Sequence, residues 1–135
     1  MNMFSRTAKY AIMALTELAA GDRSLKIREL AQAAEIPQPF LAKLVPPLVQ
    51  AGIITSTRGK RGGLAFAHPP EEVSLAEAIR AVEGDRLMLD CPFSLTPCRG
   101  QEDCPLASLW DPVRQRVVAF LEATSLAQVA QRRKR

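Results

Sequence analysis

Cys91, Cys98 and Cys104 are the only cysteines of the chain, and they fall within fourteen residues. Each has a proline beside it: Cys91-Pro92, Pro97-Cys98 and Cys104-Pro105. Thiolates are good ligands for soft metals and iron–sulfur clusters, and proline keeps such a segment from collapsing into regular helix. Three uses of the thiols are open on this pattern. They can ligate an iron–sulfur cluster. They can hold zinc or another metal, although structural zinc prefers four ligands. They can work metal-free, switching through a disulfide, for which Arg99 beside Cys98 would help lower a thiol pKa. A permanent disulfide is not expected, since pairing three cysteines leaves one over. The N-terminus lacks a basic region followed by an apolar run and a small-residue cleavage site, and no stretch approaches the roughly 20 apolar residues of a membrane span. The expected setting is therefore the reducing cytoplasm, with no membrane partner.

A second constellation is cationic. Net charge is +4 and the pI is near 9.3, but the distribution matters more than the total. Arg58, Lys60 and Arg61 crowd one short loop, and Arg132, Arg133, Lys134 and Arg135 end the chain. Phosphate backbones are the usual partners of such clusters. The tail reads as a solvated, disordered end. Gly59, Gly62 and Gly63 interleave the loop, yet no helix follows directly and no Lys-Ser/Thr pair closes it, which argues against a nucleotide cradle. With one histidine and no nucleophile–base arrangement, an enzyme is not expected.

These groups need elements to hold them. Phe4, Ala8, Ala11, Ile12, Leu15, Leu18 and Ala19 recur at helical spacing over 4–20, and Gly21 is the stop. Ser24 is the expected N-cap of a second helix over 26–34, with Ile27, Leu30, Ala31 and Ala34 inward. After Glu35-Ile36-Pro37 a third helix starts near Pro37, carries Phe40, Leu41, Leu44, Val45 and Leu48, and stops at Gly52. Pro46 and Pro47 stand in its interior. Each lacks an N–H and crowds a carbonyl one turn back, at Ala42 and Lys43, for about 3 kcal/mol. The expectation is a kink or break near Leu44–Val45, with 46–51 as a separate turn. Residues 53–56 read as a strand, the glycines as its turn, and 64–67 as the return strand, closed by Pro69-Pro70. Ser74 and Glu77 form a capping box for a helix with Leu75, Ala78, Ile79 and Val82 inside, ending at Gly84. An irregular stretch, 85–104, holds the cysteines. A long helix over 105–123 follows, its stripe made by Leu106, Leu109, Trp110, Val113, Val117, Phe120 and Leu121, with a kink expected at Asp111-Pro112. Residues 125–131 suggest one more turn.

Two short helices across a tight break, followed by a glycine-rich hairpin, make a winged helix-turn-helix. The fold class is thus mainly α with a small β-hairpin wing and a long C-terminal helix, whose apolar stripe invites dimerisation. In such a reader the second helix of the pair enters the major groove, and the wing touches backbone or minor groove. Gln38 can bond an adenine edge or a phosphate, and Lys43 can reach a phosphate. Arg58, Lys60 and Arg61 would neutralise phosphates from the wing tip, where Gly59, Gly62 and Gly63 permit close approach. Arg28 is a further backbone candidate, as are Arg6 and Lys9.

Several segments together carry a resemblance. Thr7-Ala8-Lys9-Tyr10-Ala11, Leu25 to Ala31, Phe40-Leu41, Ala51 to Leu64 with its Arg-Gly-x-x-Gly-Gly wing, Pro69 to Ser74, Ala81-Val82-Glu83-Gly84 and Cys104 to Trp110 resemble the Rrf-two family of bacterial regulators, the group that includes IscR and NsrR. The likeness runs from about 3 to 128. It implies a homodimeric transcription factor on a palindromic operator of double-stranded DNA, joined by crossing C-terminal helices. It also implies that Cys91, Cys98 and Cys104 ligate an iron–sulfur cluster, 2Fe-2S or 4Fe-4S, whose state alters DNA affinity. Three positions depart from the family pattern. Ala107 and Lys9 stand where IscR-like and NsrR-like members supply a fourth ligand, and Ala42 stands where a base-reading glutamate is expected. The fourth ligand is therefore open, with His68, Asp90, Glu102, Asp103, Ser108, water or a small thiol as candidates.

The organisation expected is a DNA-binding domain over 1–84, a cysteine loop for sensing over 85–104, a dimerisation region over 105–128 and a basic tail over 129–135. Cluster assembly would pin three points of the loop and shift the separation of two reading heads. The competing reading is a metal- or cluster-carrying scaffold or adaptor that uses the winged helix for protein contacts.

Overall fold

The computed structural model describes residues 4–21, 23–85 and 106–133, and of Ala107 the backbone alone. The cysteine segment, with Cys91, Cys98 and Cys104, lies outside the described residues. Helix α1 (Arg6–Ala20) supplies the centre of the core, with Ala8, Ala11, Ala14, Leu15 and Leu18 all buried. Ser5 caps it, its Oγ accepting the Ala8 N–H at 3.1 Å. Around α1 pack α2 (Ile27–Ala34), α3 (Gln38–Gln50), α4 (Leu75–Glu83) and the last helix, α6 (Leu126–Arg133). Strands β1 (Ile54–Thr57) and β2 (Gly63–Phe66) pair antiparallel, with Ile54 opposite Phe66 and Thr57 opposite Gly63. A single 3-10 turn, Pro70–Glu72, leads into α4, and α5 (Ala107–Ala123) packs on α4. The architecture is mainly α with one small β-hairpin, as the patterning required.

Most local signals behave as their chemistry dictates. Ser74 caps α4, its Oγ accepting the Glu77 N–H at 3.1 Å, and Gly84 ends it at φ 67°. Three expectations need correction. The third helix does not end at its prolines, since α3 runs unbroken through Pro46 and Pro47. The carbonyls they leave without donors belong to Ala42 and Lys43, both on the exposed side where water can reach them, while Leu41, Leu44 and Leu48 anchor the opposite side in the core. Ser24 is not the cap of α2. Leu25 is held extended by a bridge to Leu64, donating its N–H to the Leu64 carbonyl at 3.0 Å and accepting from the Leu64 N–H at 2.7 Å. The cap therefore lies two residues later, at Lys26, and the helix starts at Ile27.

Residues after 124 make more than one turn. Helix α6 crosses position 129 and buries Leu126, Ala127 and Ala130, while Arg133 pairs with Glu17 of α1. So Arg132 and Arg133 belong to a docked helix. Helix α5 is continuous over Asp111-Pro112, and the Asp111 carboxylate serves Arg114 and Gln115 within it.

Candidate nucleic-acid interface

The exposed side of α3 follows from the buried one. With Leu41, Leu44 and Leu48 turned inward, Gln38, Ala42 and Lys43 face outward, so both predicted groove residues of this helix are free to meet a ligand. The start of α3 is fixed on α1 by Phe40, whose ring meets Tyr10 edge to face at 4.8 Å and 85°. Arg28 is exposed in the first turn of α2. Lys9, also exposed, borders an apolar hollow of about 410 Å³ formed with Leu75, Ile79 and Phe120.

The hairpin tip gathers Arg58, Lys60 and Arg61, all exposed. Gly59 sits at φ +100° with open space around it. Its carbonyl accepts the Gly62 N–H at 3.1 Å and so closes the turn that carries the three cations. Gly62 and Gly63 do a different job from the close approach to DNA expected of them. Both are buried. A Cβ on Gly62 would sit 2.3 Å from the Thr57 carbonyl oxygen, and one on Gly63 would sit 2.7 Å from that of Leu25. Their missing side chains let the wing fold on itself and seat against the segment entering α2.

Lys26 was passed over in the sequence reading. Its Nζ donates to the Gly59 carbonyl, a contact between positions 33 apart in the chain. Only the observed start of α2 exposes the oddity of type: a helix N-cap favours side chains that accept hydrogen bonds, and an ammonium cannot. His68 is exposed beyond β2 and borders a hollow of about 360 Å³ with Gly52, Glu72 and Glu77. Among the described residues no group of three or more His, Cys, Asp and Glu could hold a metal ion, and none of their helices is long and apolar enough to cross a membrane.

Residues 4–132 match the model of a family described as Rrf2, iron-dependent transcriptional regulator. The chain belongs to the Rrf2 family. That membership makes it a transcriptional regulator and not an enzyme. Among solved structures, CymR, the global cysteine regulator of Bacillus subtilis, aligns over 98% of this chain and 98% of its own at TM-score 0.79 and 28% identity. The transcriptional repressor NsrR of Streptomyces coelicolor is 29% identical over 106 residues, covering 78% of this chain and 67% of NsrR. IscR of T. potens shares the fold, at TM-score 0.74 and 22% identity over 96% of this chain and 87% of its own. Within the Rrf2 family the helix pair and hairpin are thus a winged helix-turn-helix.

Proposed function

We propose that this Rrf2 protein is a homodimeric DNA-binding regulator, of the cytoplasm, whose affinity for a palindromic operator depends on an iron–sulfur cluster or thiol state at Cys91, Cys98 and Cys104. The observation that carries the DNA reading is the outward cluster Arg58, Lys60 and Arg61 on a wing seated beside the entry to α2, with Gln38 and Lys43 outward on α3. Guanidinium and ammonium groups there release counterions from phosphates, while the first turn of α3 offers polar groups to base edges. The homodimer reading is supported by the exposed stripe of α5, where Leu109 is 73%, Phe120 58% and Val113 46% exposed. Contiguous apolar surface of that kind marks an association site.

The three cysteines suit an iron–sulfur cluster by donor chemistry, being thiols grouped in one proline-rich segment, and the family's iron dependence supports that use. When bound, such a group supplies a crosslink among three points of the chain that oxidants can undo. The chain's own residues do the rest. The segment leaves α4 and enters α5, so a change in its span acts on the helix that sets the distance between two α3 helices. Half-sites lie about 34 Å apart, and small rotations alter fit. The fourth ligand stays open, since Lys9 and Ala107 offer neither a carboxylate nor an imidazole.

The test starts from anaerobically purified protein, its iron and sulfide measured. It selects duplexes from a random pool, then compares affinity before and after iron removal for the natural chain and for the variant with all three cysteines changed to alanine. Palindromic selection and an iron-dependent affinity confined to the natural chain are expected. Equal affinities throughout would end the cysteine control, and selection of no duplex would favour the adaptor reading.

A further inference from the structure

Lys26 is costly where it stands. As the N-cap of α2 it provides no acceptor for the orphan N–H groups of the first turn, which Ser or Asp would supply. Its charge also lies at the positive end of the helix dipole. Only one half of a capping box is chemically available, with Glu29 Oε1 accepting the Lys26 N–H at 2.9 Å. A local rule broken without local gain points to a gain elsewhere.

That gain is visible across the wing. The Gly59 carbonyl accepts twice, from the Gly62 N–H within the tip turn and from Lys26 Nζ. The base of the wing is seated separately, by the Leu25–Leu64 bridge and by Gly63 lying against Leu25. A two-stranded hairpin held only at its base can swing at its tip, because such ribbons are marginal by themselves. Lys26 adds a second point of attachment, in the same turn that carries Arg58, Lys60 and Arg61.

We propose that Lys26 is a positioning residue: it ties the wing tip to the start of α2 and so sets the angle at which Arg58, Lys60 and Arg61 meet phosphates. The inference rests on the DNA-binding reading above, and its test separates the two. Lys26→Met keeps the aliphatic stem and removes the donor. Backbone 15N relaxation of Lys60, Arg61 and Gly62, without DNA, is expected to show the tip loosened in Lys26→Met and restored in Lys26→Arg, with the thermal midpoint nearly unchanged. Binding to a mixed-sequence duplex is then followed against salt. Lys26→Met should lower affinity about 5–10-fold at low salt and reduce the log–log slope by about one. In an Arg58→Ala, Arg61→Ala background the same change should add much less, because Lys60 is the one cation of that turn left for the tether to place.

A tip equally ordered in both proteins overturns the proposal. So does an undiminished loss in the background lacking the arginines, which would make Lys26 a direct phosphate contact. A loosened tip in a protein that binds no duplex would support the tether while sinking the DNA reading.

Discussion

Helices α3 and α5 both carry proline in their interiors, and both run unbroken, yet their apolar sides meet opposite fates. In α3 the chain covers its own apolar residues: Leu41, Leu44 and Leu48 are 1%, 3% and 1% exposed. In α5 the stripe stays open, with Leu109 at 73% and Phe120 at 58%, and among its leading apolar positions Leu121 alone is fully buried. The first helix is held by the fold around it. The second has apolar surface left open among the described residues, the state that the proposed homodimer would use to complete its burial. The difference assigns separate jobs: α3 presents a polar side rigidly, and α5 offers an apolar one.

The sharpest way to break this contrast is a pair of truncations. Leu48→Ala should destabilise the folded chain by about 2–5 kcal/mol, the range for a buried leucine left as a cavity. That loss should appear in urea melts at every protein concentration. Leu109→Ser should leave the isolated protomer within about 0.5 kcal/mol of the natural chain, as surface changes do. It should weaken self-association by about 1.5–3 kcal/mol per side chain removed from a dimer contact, read by sedimentation. If Leu109→Ser melts like Leu48→Ala and leaves association unchanged, the division between the helices is wrong.

A smaller effect tests why α3 tolerates its prolines. Pro46→Ala restores an N–H facing the Ala42 carbonyl. Ala42 lies on the exposed side of the helix, so with water satisfying that carbonyl the gain should be about 1 kcal/mol, well below the roughly 3 kcal/mol of a buried interior proline. Part of it is offset by the freer unfolded chain. A gain near 3 kcal/mol in urea melts would mean that water does not satisfy the carbonyl and that α3 is strained.

The same case shows what was legible in the residues. The apolar spacing of α1, the Ser74 cap and the Gly84 stop were readable because each acts within a turn or two of itself. The hairpin was readable from its glycines, and the likeness of the wing and cysteine motifs led to the family. The unbroken α3 was not, because it depends on which way Ala42 and Lys43 face, a property of packing. The start of α2 was misjudged for a related reason. Its position is set by Leu64, far along the chain, and no local cap preference at Ser24 can outvote a bridge of two backbone hydrogen bonds. The reasons for Gly62 and Gly63 were also misjudged. Glycine was read as access for DNA, whereas their neighbours are the chain's own carbonyls. Gln38, Lys43 and Arg58 could be named as candidates from type and context, and the fold leaves them exposed, but the contact of Lys26 with Gly59 needed the fold.

The smallest expected effect concerns how α5 is held to the head. Arg80, on α4, reaches Asp85 at 3.3 Å and Glu122 of α5 at 3.0 Å, with its side chain 39% exposed. Exposed ion pairs of this type contribute about 0.2–1 kcal/mol, since water and side-chain entropy offset most of the attraction. Arg80→Ala should therefore cost less than about 1 kcal/mol, and a double-mutant cycle with Glu122→Gln should give a coupling of similar size. At 1 M salt, where the Debye length falls to about 3 Å, the coupling should nearly vanish. That outcome would leave α5 joined to the head by Leu121, Val117 and the backbone bridge that follows it, with its open stripe free for whatever covers it. A coupling above about 2 kcal/mol that persists in salt would mean a desolvated contact, and α5 would then be as firmly placed by its own chain as α3 is.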